Sequence, residues 1–91
     1  MNEKLKKIIK HYGVTPQLKY FQSEVYELTE AVLWYEITPE IIKDTQFITE
    51  EIADVMVMLK QFQLNYGIKD EEIEDIMKFK IDRQIERIEN E

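Results

Sequence analysis

Two pairs of acids stand three residues apart in this chain, Glu24 with Glu27 and Glu51 with Asp54. On a helix that spacing puts both carboxylates of a pair on one face, a turn apart. Four carboxylates brought to one point repel each other, and burial raises the cost. A divalent cation removes it, and hard oxygen donors select Mg²⁺, Mn²⁺ or Ca²⁺ over softer metals. Mg²⁺ commonly completes its shell with waters and phosphate oxygens, so a helical carboxylate site with open positions suits a phosphate chain. Acid pairs are also common by chance. With 19 acids among 91 residues, roughly four i,i+3 pairs arise from scattering alone, and Glu27/Glu30, Glu71/Glu74, Glu72/Asp75 and Glu86/Glu89 are further examples. A solvated helix face is therefore the alternative for any single pair.

What distinguishes the two pairs is where they sit. Leu18, Phe21, Val25, Leu28, Val32 and Tyr35 recur at spacings of three and four, an apolar seam that predicts a helix from about Pro16 to Glu36. Ile48, Ile52, Val55, Leu59, Phe62 and Tyr66 do the same from about Thr45 to Tyr66. One residue before each seam runs a second row: Tyr20, Glu24, Glu27, Ala31 and Trp34 on the first helix, and Phe47, Glu51, Asp54, Met58 and Gln61 on the second. If the seams pack together, both acid pairs lie at the edge of one core and can converge.

Two shorter patterns flank this pair. Leu5, Ile8, Ile9 and Tyr12 predict a helix over Asn2 to Tyr12, with lysines on its other face. Gly13 reads as its C-cap, with Thr15 as the next N-cap and Pro16 in the first helical position. Pro39 could open a short turn through Ile42. Gly67 terminates the third helix, and Asp70 would cap a fourth that carries Ile73, Met77, Ile81, Ile85 and Ile88 to about Ile88. The expectation is one all-α domain over residues 1–91, with two long central helices and two flanking ones.

Composition narrows the function. Twelve basic against 19 acidic residues leave a net charge of −7, which argues against a surface that tracks nucleic acid. Two Gly and two Pro are too few for the turns of an all-β sandwich. The chain has no Cys, so thiolate metal sites and Cys nucleophiles are excluded. No apolar run approaches the ~20 residues of a membrane span. A cytoplasmic location is expected.

At the acid pairs the sequence resembles a known family. Gln17, Glu24-Val25-Tyr26-Glu27-Leu28 and Ala31, followed by Glu51-Ile52-Ala53-Asp54, are similar to the Glu-x-x-Glu and Glu-x-x-Asp motifs of MazG-like nucleoside triphosphate pyrophosphohydrolases. The likeness runs from about Gln17 to Arg87. It implies a bundle-like, four-helix all-α NTP pyrophosphatase fold with the long helices antiparallel. It also implies Mg²⁺-dependent cleavage of an NTP or dNTP to the monophosphate and pyrophosphate, with Mn²⁺ as a substitute. Glu24, Glu27, Glu51 and Asp54 would then be the metal ligands and catalytic residues. Lys80, Arg83 and Arg87, at i, i+3 and i+7 near the C-terminus, resemble the family's basic row for phosphate oxygens; ordinary salt bridging on a solvated helix is the alternative. A homodimer or homotetramer is expected from family and area together, because a chain this short covers little of its own apolar surface.

Other residues read less sharply. An aromatic among Trp34, Tyr20 and Phe47, or Met58, could face a nucleobase, with core or dimer packing the alternative. Glu50 adjoins the second pair and reads as an exposed acid near a helix N-terminus, or as an outer-sphere partner of the metal or the water-orienting base. His11 has no second His and reads as a surface or packing residue. The competing view of the whole chain is a non-catalytic helical interaction module, its seams an oligomerisation surface and its acids a solubilising rim.

Overall fold

A computed structural model describes residues 1–38, 40 and 44–91. Among these residues the regular structure is entirely helical: α1 Asn2–Tyr12, α2 Val14–Ile37, α3 Gln46–Asn65 and α4 Asp70–Glu89. The expected turn at Pro39–Ile42 falls largely outside the described residues. No helix among them is long and apolar enough to cross a membrane.

Glycine sets two of the corners. Gly13 has φ 89°, and its N–H closes α1 on the Ile9 carbonyl at 2.8 Å while the same residue caps α2. A single left-handed residue thus folds α1 back along α2. The start of α2 differs from expectation. It begins at Val14 rather than after Thr15, so Pro16 takes the third helical position. That position is tolerated because the first four N–H groups of a helix have no intrahelical acceptor to lose. At the end of α3, Gly67 has φ 67°, its N–H bonds the Leu64 carbonyl, and the Ile68 N–H bonds that of Gln63 at 3.0 Å. This is a Schellman closure, in which left-handed glycine satisfies the last carbonyls.

Asp70 does not cap α4 as expected. Lys69 holds that position, its N–H donating to Glu72 Oε2 at 2.7 Å. Asp70 instead accepts bonds from Lys60 Nζ and from Gln63 Nε2 at 2.6 Å, tying the first turn of α4 to α3.

The antiparallel run of α2 and α3 follows from which residues meet. Gln17 bonds Gln61, Phe21 stacks edge-to-face on Phe62 at 5.6 Å, and Glu24 faces Glu51 and Asp54. α1 packs on both helices and buries Leu5 and Ile9. The contact between the long helices is turned from the expected seam toward the acid row. On α2 the covered residues are Gln17, Phe21, Glu24, Leu28, Ala31 and Tyr35. Leu18, Val25 and Val32 stay 47%, 38% and 42% exposed. Phe21, Leu28 and Tyr35 belong to the expected seam but border the acid row, so the helix can present either flank. Ala31, the smallest side chain of the acid row, allows the close approach.

The fourth helix does not join a bundle. α4 packs on none of α1–α3, and Ile76, Met77, Phe79, Ile81, Ile85 and Ile88 are all about half exposed or more. The described residues extend 42 × 37 × 22 Å with a radius of gyration of 16.4 Å, against roughly 12 Å for a compact chain of this length. Within one chain, three helices form the packed unit and the fourth stands clear. Among the described residues its close polar ties to α3 are those at Asp70.

Candidate metal centre

The turn of α2 and α3 toward their acid rows determines the site. Glu24, Glu51 and Asp54 can each offer one carboxylate oxygen within 4.8 Å of the others, a group that could hold a metal ion. Glu24 is 5% exposed. Glu24 Oε2 and Glu51 Oε2 are enclosed and have no hydrogen-bond partner. An unpaired buried carboxylate oxygen is costly in itself, so two facing a third acid form a group that a cation could stabilise. Glu27, the fourth expected ligand, is exposed at the rim. It lies outside the tight group but close enough to act on both Glu24 and Glu51.

The electrostatics follow from the geometry. Burial, then the neighbouring charges of Glu27 and Asp54, raises the Glu24 pKa above the usual carboxylate value, with Tyr20 opposing. Burial also raises that of Glu51, aided by the charges of Glu27, Asp54 and Glu24. The Tyr20 phenol is raised too, chiefly by the Glu24 carboxylate beside it. Glu24 and Glu51 thus resist ionising in their buried, acid-lined surroundings. A cation held among them would offset the repulsion between the carboxylates and favour their ionised form.

Beside the acids opens a cavity of about 550 Å³, with Glu24 and Asp54 at one end. Ile8 and Tyr12 of α1, Pro16 and Tyr20 of α2, and Val57 and Met58 of α3 form apolar walls. Gln17 and Gln61 complete it, joined by a 2.8 Å bond from Gln17 Nε2 to Gln61 Oε1. Tyr20 and Met58 thus reach the cavity, whereas Trp34 and Phe47 are not among its walls.

The basic row is elsewhere. Lys80, Arg83 and Arg87 are exposed on α4, none lines the cavity, and α4 does not pack on the helices that hold the acids. Arg83 lies over the Phe79 ring at 5.6 Å. His11 is exposed and meets the Tyr12 ring edge-on, a surface packing role. Glu50 is exposed and outside the acid group.

Sequence reasoning named none of Ile8, Tyr12, Pro16 and Val57 as cavity residues: Ile8 and Tyr12 read as the apolar face of a helix that either closes over a substrate or caps the fold, Pro16 as a helix start, and Val57 lies outside both rows. It placed Gln61 in the second acid row and Gln17 in the family likeness without assigning either a contact. The available signal was a carboxamide on each long helix in register with the acid row, where an apolar residue would pack as well. No family model, curated protein or solved structure matches the chain.

Proposed function

We propose that the chain is a Mg²⁺-dependent nucleoside triphosphate pyrophosphohydrolase, which splits an NTP or dNTP with water into the monophosphate and pyrophosphate. The observation that supports it is the meeting of Glu24, Glu51 and Asp54, two of them with unpaired enclosed oxygens, at one end of an apolar cavity. Glu24, Glu51 and Asp54 would hold the metal, with Glu27 at the rim able to join through water or a second ion. Mg²⁺ or Mn²⁺, when bound, neutralises phosphate charge and polarises the anhydride and an attacking water. The chain's own residues fix where that happens: α2 and α3 carry the acids, and apolar side chains of the cavity flank them on one side.

Phosphate oxygens also need cations from the protein, and Lys80, Arg83 and Arg87 are the candidates. Their helix is unpartnered in one chain, so in this proposal they act within a homodimer or homotetramer, in which the apolar face of α4 is covered. The setting would be cytoplasmic, where Mg²⁺ and nucleotides are abundant.

The test is pyrophosphate release from a panel of NTPs and dNTPs with Mg²⁺. Turnover of at least one, abolished by Glu51→Gln or Asp54→Asn at unchanged helix content, is expected. A folded chain that turns over none of them refutes the enzyme. The exposed apolar face of α4 favours one other reading, a helical oligomerisation module without catalysis. That reading predicts self-association with no effect of Mg²⁺ or Mn²⁺ on the melting temperature.

A further inference from the structure

The apolar seams expected on the two long helices are only partly used by the fold. On α2 the buried Gln17, Glu24 and Ala31 are each followed by a seam residue left open, Leu18, Val25 and Val32. The same offset holds on α3. Leu59, next to the buried Met58, is 50% exposed, and Ile52, next to Glu51, is 43% exposed. One residue further along a helix is a turn of about 100°. Antiparallel helices lying side by side are related by a local two-fold axis perpendicular to their plane, so the same turn on each points to the same side of the layer. α1 and the acid-lined cavity lie on the other side. α2 and α3 thus form a two-helix layer that is packed on one face and open on the opposite one.

The centre of the open face carries no charge. Between its seam residues α2 places Gln22 and Thr29, and α3 places Met56, in a chain that is 34% charged. Thr29 Oγ1 donates to the Val25 carbonyl at 2.9 Å, so its hydroxyl is satisfied within the helix. Depletion of charge is what distinguishes the core of an interface from ordinary surface. At about 80 Å² apiece, Leu18, Val25, Val32, Ile52, Met56 and Leu59 leave roughly 500 Å² of apolar surface open per chain. Tyr66 and the groove that α3 shares with Ile73 and Met77 extend this toward the ~800 Å² per partner of a stable interface. α4 does not cover the face within its own chain, because Asp70 ties its first turn to Lys60 and Gln63 and the helix packs on none of α1–α3.

We infer that this face is the surface on which two copies of the chain pair, layer on layer, so that α2 and α3 of each form a four-helix bundle. A layer of two antiparallel helices with one apolar face is half of such a bundle, and a two-fold axis presents the same patch to itself. Charge points to the same occupant. A partner recognised by charge finds nothing to pair with at the centre of the face. Copies of net charge −7 repel at a distance, so apolar contact is what holds them together. The face lies opposite the acids, so the inference stands independently of the hydrolase. It assigns the principal contact to α2 and α3 rather than to α4 alone.

The test is sedimentation equilibrium of the full chain in EDTA at up to about 100 μM, where at least a dimer is expected. Raising NaCl from about 50 to about 500 mM should hold or tighten the association, because it screens the repulsion between like-charged copies. Val25→Lys and Ile52→Lys change positions that are open to solvent in one chain. Each should weaken association about a hundredfold at unchanged helix content, because each puts an unpaired charge into the contact. Ala53→Lys, exposed on another flank of α3, should leave the mass unchanged. On the unaltered chain, ¹H–¹⁵N NMR over a dilution series should move the amides of Val25, Thr29, Ile52 and Leu59 and leave those of Lys4 to Lys10 in place. A monomer at the highest concentration, association that salt weakens, or a mass that only Ile81→Lys and Ile85→Lys lower would overturn the inference. A dimer that turns over no NTP upholds the face and sinks the hydrolase; turnover by a strict monomer does the reverse.

Discussion

Replacing Glu24 by Gln should stabilise the metal-free protein and destabilise the metal-loaded one. Glu24 is 5% exposed, and its Oε2 has no partner. Leaving a buried acceptor unsatisfied costs about 1–3 kcal/mol. A carboxamide of the same shape removes a negative charge and offers an N–H to the facing carboxylates. Taking the low end, Glu24→Gln gains about 1 kcal/mol in EDTA at pH 7.5, a rise of roughly 4–8 °C for a domain of this size. With Mg²⁺ at one hundred times its dissociation constant the native chain gains about 2.7 kcal/mol by mass action. If losing one of three anionic ligands weakens the site one hundredfold, the variant is half-saturated there and gains only about 0.4 kcal/mol. The order then inverts, with the native chain ahead by about 1.3 kcal/mol. The assay is thermal melting followed by circular dichroism, native and variant, in EDTA and in Mg²⁺. A variant that melts below the native chain in EDTA, or that gains as much from Mg²⁺, would refute the idea that these acids are unpaired partners of a cation.

Four further outcomes are expected. The raised pKa values of Glu24 and Glu51 mean that the folded chain holds protons more tightly than the unfolded one. Their contribution therefore lowers metal-free stability as pH rises above about 4.5, the ordinary carboxylate value, through the raised folded values. Urea melts from pH 4.5 to 8 should show the decline, and the Glu24→Gln, Glu51→Gln double variant should show less of it. Met58 is 2% exposed at the α2–α3 contact, so Met58→Ala should cost about 2–5 kcal/mol in the same melts. Gly13→Ala forces an L residue to φ 89° and should cost about 1–2 kcal/mol. Ile81→Lys and Ile85→Lys on the open face of α4 should lower the mass measured by sedimentation while leaving helix content unchanged. An unchanged mass would remove that face from any self-association.

The open face of α4 also explains why self-association belongs to the proposal. A helix of 20 residues that packs on no other helix gains nothing from its own apolar stripe, and helices in proteins owe most of their stability to such packing. Met56, Leu59 and Tyr66 on α3 face the same way as Ile73 and Met77 and line a second apolar groove of about 550 Å³. Covering both surfaces at once is what a second copy of the chain would accomplish.

Much of this protein was legible from periodicity. The four helices fall within a residue or two of the spans that apolar spacing predicts, because a three-to-four repeat of large apolar residues fits one face of a helix and nothing else. The two glycines mark real corners for the same local reason, a positive φ that other residues resist. The acids could be paired within each helix, since i and i+3 share a face by geometry alone. Which flank of α2 meets α3 was not legible. Phe21, Leu28 and Tyr35 serve either flank equally, and the acid row carries buried cost where Val25 and Val32 do not. Local pattern therefore favours the apolar flank, while the folded chain buries Gln17, Glu24 and Ala31 instead. Only the packing of three helices together could decide that rotation. It alone brought three of the four acids, Glu24, Glu51 and Asp54, to one point, opened the cavity beside them, and left α4 with its apolar stripe uncovered.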